Sequence, residues 1–146
     1  MRDQLRVSNE EVWKPVVGYE GFYEVSNVGE VRSLDRTTLR DNRHGRQPTK
    51  IKGRVMKQGI RSGYYYVNLC VNNKRKKRTV HSLVAEAFLC LGGGGEVNHK
   101  DGVKTNNLVT NLEWCTRSEN HKHALANGLF VPPSGEDHWT YKRKYL

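Results

Sequence analysis

EVNHKDGVKTNNLVTNLEWCTRSENHKHALANG, residues 96–128, decides how the rest of this chain is read. Two short runs, Glu96-Val97-Asn98-His99 and Asn111-Leu112-Glu113-Trp114-Cys115, flank a polar loop; each reads as a strand, with Leu112 and Trp114 sharing one face. Lys100-Asp101-Gly102 turns the chain sharply after the first run. Thr116 and Glu119 form a capping box, which predicts a helix with Asn120 in its first turn, His123 on the same face and Asn127-Gly128 as its stop. Strand, loop, strand and capped helix thus gather Asn98, His99, Asn111 and Asn120 into one short stretch. His99 can serve as a general base, histidine being the side chain whose ordinary charge change lies nearest to neutral pH. The side-chain carbonyls of Asn98 and Asn120 are hard, neutral ligands, suited to Mg2+ or Mn2+ rather than Zn2+, with water and a substrate phosphate completing the shell of one divalent ion. Asn106 and Asn107 read as Asx-turn residues of the loop.

Working outward, Ser82 is the expected N-cap of a short helix whose Leu83, Val84, Ala87 and Phe88 make an apolar stripe. His81, just before it, reads as a packing or capping residue, and residues 92–95 as a glycine connection. Further upstream, Val55-Met56-Lys57 and the aromatic, β-branched run 64–71 read as antiparallel strands, with a turn over 59–63 and a tight turn at Asn72-Asn73. The adjoining Lys74, Arg75, Lys76, Lys77 and Arg78 then crowd the rim of a sheet, an arrangement that makes most sense facing a polyanion. Residues 35–56, rich in Arg and Lys, read as a loop that is mobile without a partner and lies along phosphates when it has one. Residues 12–34 alternate around Ser26-Asn27-Val28-Gly29 as a hairpin, with too little apolar surface to fold alone. The first ten residues read as a disordered start, and residues 131–146 as a basic, aromatic arm.

The 146 residues suit one domain with appended arms. Hydrophobic residues make up 36% of them, so the core is modest. Lys and Arg number 25 against 15 acidic residues, a formal +10, the charge expected of a nucleic-acid binder. No run approaches the ~18 apolar residues of a membrane span, and the N-terminus lacks the apolar core of a signal peptide, so a cytosolic protein is expected. Cys70, Cys90 and Cys115, odd in number and without a CxxC pair, read as reduced thiols.

Two wordings are recognisable. WKPVVGYEGFYEVSNVGEVRSL, residues 13–34, resembles the NUMOD4 module attached to HNH nucleases of phages and bacteria. EVNHKDGVKTNNLVTNLEWCTRSEN, with HSLVAEAF upstream, resembles the HNH motif in the version of phage and intron-encoded endonucleases. His99 and Asn111 stand 12 residues apart, and Asn111 and Asn120 stand 9 apart, as that motif requires. The resemblance implies an α+β fold ending in a ββα-metal motif. It also implies a DNA endonuclease that leaves 5′ phosphate and 3′ hydroxyl ends. Carried over, His99 matches the base, Asn111 the residue that pins the loop and helps orient His99, and Asn98 and Asn120 the metal ligands. Asn98 departs from the Asp or His often found before the base. The expected division is a module with its basic loop over 11–57, a nuclease domain over 58–130 and an arm over 131–146. Double-stranded DNA is the expected partner of a monomer, with a dimer possible, and a monomer would nick one strand. The expected DNA contacts are Arg32, Arg36, Lys74, Arg75, Lys76, Lys77, Arg78, Arg117 and His123; His121 is assigned to solvent. A DNA-binding protein that keeps the fold without activity, and an RNA-binding protein, remain alternatives at this point.

Overall fold

Strands β1 (Trp13–Pro15), β2 (Tyr23–Ser26) and β3 (Val31–Ser33) form an antiparallel sheet in that order. Alternation along β2 buries Tyr23 and Val25, with Val31 beside Val25 on β3. The chain turns between β2 and β3 over residues 27–30, at the Ser-Asn-Val-Gly signal. Arg54 and Met56 add backbone hydrogen bonds to Ser33 and Val31, so the expected 55–57 strand is a short bridge on the edge of β3. The computed structural model describes residues 10–89 and 95–129. Cys90, the glycine connection up to residue 94, residues 1–9 and the C-terminal arm fall outside them.

Residues 36–51 correct the sequence reading of a mobile loop. They form an antiparallel ribbon, β4 (Arg36–Asn42) with β5 (Gly45–Ile51), paired from Arg36↔Ile51 to Asn42↔Gly45. Gly45 takes φ +90 at the turn, which suits glycine, and Asn42 Oδ1 accepts the His44 N–H at 2.8 Å. The ribbon buries little, so it carries no apolar alternation that a reader of sequence could find.

A third antiparallel sheet runs β6 (Gly59–Arg61), β7 (Tyr64–Val71), β8 (Lys74–Thr79). Asn72 and Asn73 both take positive φ, as a two-residue hairpin turn demands, and asparagine tolerates that conformation. The five cations lie along β8 itself. Helix α1 (Val80–Phe88) starts earlier than the Ser82 cap predicts: Thr79 is the N-cap, and His81 stands in the first turn.

The last sheet pairs β9 (Glu96–His99) with β10 (Leu112–Cys115), followed by α2 (Arg117–Ala126). The capping box at its start is present in both directions. One buried cluster holds the molecule together: Val16, just after β1, and Tyr23, Val25 and Val31 from the first sheet meet Val67 and Leu69 of β7, Val80, Leu83 and Val84 of α1, and Leu112 of β10. Tyr23 locks the first sheet to β7, its hydroxyl donating to the Cys70 carbonyl and accepting the Cys70 N–H, both at 3.0 Å.

Candidate active site

The β9–β10 register sets Leu112 against His99 and Glu113 against Asn98, so both candidate residues close the first strand over the intervening loop. Asn111 pins that loop. Its amide donates to the Asp101 carboxylate and the Asn106 carbonyl, each at 2.9 Å, and its Oδ1 accepts the Asp101 N–H at 3.1 Å. Asp101 is held below the usual carboxylate range by the Asn106 amide first, then the Val103 N–H, with the Asn111 amide adding to them.

The partner of His99 is Asn107. Nε2 and the Asn107 Oδ1 lie 3.1 Å apart, and both residues are buried. An oxygen acceptor there keeps the ring proton on Nε2 and leaves the Nδ1 lone pair free to take a proton. The sequence reading grouped Asn107 with Asn106 as a turn residue, and only Asn106 behaves so, with its amide on Asp101 and its Oδ1 accepting the Leu108 N–H. No spacing rule separates the two asparagines; burial does.

The His99 ring packs against His81, centroids 5.2 Å apart, and Tyr64, 6.0 Å away. Burial, then the charge of His99, pushes His81 down to about 4, so it sits there as a neutral ring, as a packing histidine should. Its Nδ1 is buried without a hydrogen-bond partner among the described residues.

Beyond His99 opens a groove of about 730 Å³, whose lining includes Glu96, His99, Arg117, Asn120 and His123. Asn120 projects from the first turn of α2, and its amide donates to Glu96 Oε2 at 2.8 Å. Asn98 is not part of that lining; it is buried, with its amide on Glu113 Oε1 at 2.9 Å. Glu96 carries no signal in the sequence, because only the fold brings it beside Asn120 of α2. The Glu96 carboxylate faces the Asn120 amide nitrogen; with that amide turned to present its Oδ1, the two side chains supply hard oxygen donors that fit Mg2+ or Mn2+. His123 Nε2 donates to the Lys100 carbonyl at 3.1 Å, which fixes its ring at the groove edge, and His121 lines the groove as well.

The expected DNA contacts divide by what they touch. Arg32 pairs with Glu24 at 2.6 Å and stacks on Trp13, and Arg36 lies over Phe22 and Tyr23. Arg78 pairs with Glu86. Lys74, Arg75 and Lys76 are exposed, Lys77 rests its ammonium 4.4 Å from the Tyr66 ring centre, and Arg117 is exposed at the groove.

Two family models match the chain: the NUMOD4 motif over residues 11–70 and the HNH endonuclease over residues 78–122. The DNA endonuclease I-HmuI of Bacillus phage SP01 is 40% identical over 119 residues, covering 80% of this chain and 59% of its own. An uncharacterized HNH endonuclease, L245 of Acanthamoeba polyphaga mimivirus, is 36% identical over 118 residues, which are 31% of its length. A solved structure of DNA binding and cleavage by the HNH homing endonuclease I-HmuI superposes with a TM-score of 0.65 at 37% identity, over 82% of this chain and 61% of that one. The chain thus spans about three-fifths or less of the length of these relatives.

Proposed function

We propose, from a chain that carries an HNH endonuclease motif behind an N-terminal NUMOD4 motif and is related to the phage homing endonuclease I-HmuI, that it is a metal-dependent endonuclease of double-stranded DNA. The observation that carries this reading is the buried His99, bonded through Nε2 to Asn107, on a groove that also holds Asn120 and Glu96. Nδ1 of His99 takes the proton of a water that attacks the scissile phosphorus. Arg117 and His123, at the groove edge, bind and orient the phosphate. Glu96 and Asn120 are the residues that would hold a Mg2+ or Mn2+ ion; Asn98, bonded to Glu113, does not line the groove. When bound, such an ion supplies charge stabilisation at the phosphate and the departing 3′ oxygen. One such site cuts one strand, so a monomer nicks. In this division of labour residues 11–57 grip DNA and residues 58–130 cleave it.

The test is nicking of supercoiled plasmid in Mg2+ with EDTA as the control. Glu96→Gln and Asn120→Ala should each lower kcat and raise the Mg2+ concentration needed for half activity. Full activity in EDTA contradicts the metal assignment; unchanged metal dependence in both variants contradicts the ligands. The binding of Asn98 to Glu113 supports a second reading, a duplex-binding protein without cleavage. That reading predicts salt-sensitive binding and intact plasmid under every divalent ion.

A further inference from the structure

The turn between β2 and β3 belongs to the N-terminal motif, and Asn107 belongs to the loop of the nuclease motif. The two are in contact. Gly29 is buried with φ +89, and a Cβ built on it would lie 2.8 Å from the Asn107 Cβ and 3.3 Å from its carbonyl oxygen. The Val109 N–H donates to the Asn27 carbonyl at 2.9 Å, so the loop also hangs from the turn by a backbone bond two residues further on. The turn itself is braced: the Gly29 and Glu30 N–H groups donate to Ser26, and Gln58 Nε2 donates to the Gly29 carbonyl at 2.8 Å. Asn107 is thus seated between a rigid turn and the ring it bonds, His99.

We propose that the turn of the N-terminal motif is a positioning element for the catalytic base: Gly29 seats Asn107, and Asn107 sets the tautomer and orientation of His99. The proposal rests on the reading of His99 as the base. It gives the N-terminal motif a task in the chemical step in addition to holding DNA. Gly29 is under two constraints, its positive φ and the lack of space for a Cβ. Gly18, in the same motif, has only the first: it takes φ +80, and nothing lies within 4 Å of the Cβ position. Backbone strain alone would make Gly18→Ala and Gly29→Ala behave alike. Displacement of Asn107 singles out Gly29→Ala.

The experiment has two readouts on the full chain. In plasmid nicking, Gly29→Ala should lose roughly 10- to 100-fold in kcat, the scale of a misplaced catalytic group, with KM for the DNA unchanged. Gly18→Ala should nick like the wild type. In 15N-edited NMR at fixed pH, wild-type His99 should show one tautomer protonated at Nε2, and Gly29→Ala should show the mixed tautomers of Asn107→Ala. A Gly29→Ala protein with wild-type kcat and tautomer overturns the proposal, as does an equal kcat loss in Gly18→Ala. The NMR arm needs no cleavage, so an inactive wild type defeats the nuclease reading while the coupling of Gly29 to His99 is still decided. Should Gly29→Ala lack the circular dichroism of a folded chain, Gln58→Ala, which frees the Gly29 carbonyl, replaces it. A mixed His99 tautomer in that variant supports the coupling, and a wild-type tautomer overturns it.

Discussion

Two histidines 5.2 Å apart sit in different surroundings. His99 has an oxygen partner and an open groove, while His81 has aromatic neighbours and burial. The folded pKa of His81 is depressed from its ordinary 6.5 to about 4, so the unfolded chain takes up a proton that the fold resists. The stability contributed by neutral His81 is full above pH 6.5 and falls as the pH drops towards about 4. Thermal unfolding between pH 7.5 and 5 should show a falling Tm that flattens in His81→Phe; an unchanged slope in that variant would contradict the assignment. At this scale the sequence was legible wherever spacing carried the information. His99, Asn111 and Asn120 could be picked out by their intervals and by the Thr116 cap. Asn107 and Glu96 could not, because what sets them apart is burial against Gly29 in one case and a hydrogen bond across to α2 in the other. Arg32, Arg36 and Arg78 looked like free cations for the same reason: the rings and carboxylates that engage them become neighbours only on folding.

The β4–β5 ribbon is the element that the sequence concealed. Its strands pair with each other over seven residues each and contribute almost nothing to the core, so only backbone hydrogen bonding defines them. A two-stranded ribbon is narrow enough to enter the major groove, and this one carries Arg36, Arg40, Arg43, Arg46 and Lys50 against the single carboxylate Asp41. Arg40, Arg43 and Lys50 are exposed. Replacing these three with Gln should weaken duplex binding and flatten its salt dependence by about 0.9 in log–log slope for each phosphate that the ribbon no longer neutralises. Tm should stay within about a degree or two, since exposed substitutions of this kind cost little. Unaltered affinity would remove the ribbon from the DNA interface. Helices were the easier elements to read, because α2 announces itself through the Thr116–Glu119 box, whereas α1 begins at the end of a strand with no side-chain bond at its cap.

Over the whole molecule the two motifs share one core. Val25 and Val31 of the first sheet and Val16, just after β1, are fully buried, packed into the cluster that holds Leu69, Leu83 and Leu112. A chain beginning at Gln58 would expose the β7 and α1 side of that cluster and lose the turn that seats Asn107. It should show no cooperative thermal transition by calorimetry; a sharp transition would mean that the second motif folds without the first. The sequence reading anticipated that the hairpin must dock, from its scarcity of apolar residues, but not where, since docking depends on contacts between residues far apart in the chain. Both motifs converge on His99 as the base of a DNA nuclease. The most direct measurement of that role is the nicking of supercoiled plasmid in Mg2+ by wild type and His99→Ala at equal concentration. Nicked circles are expected from the wild type and a loss of at least about 100-fold in rate from the variant, the scale of general-base catalysis; equal rates from the two proteins would contradict His99 as the base.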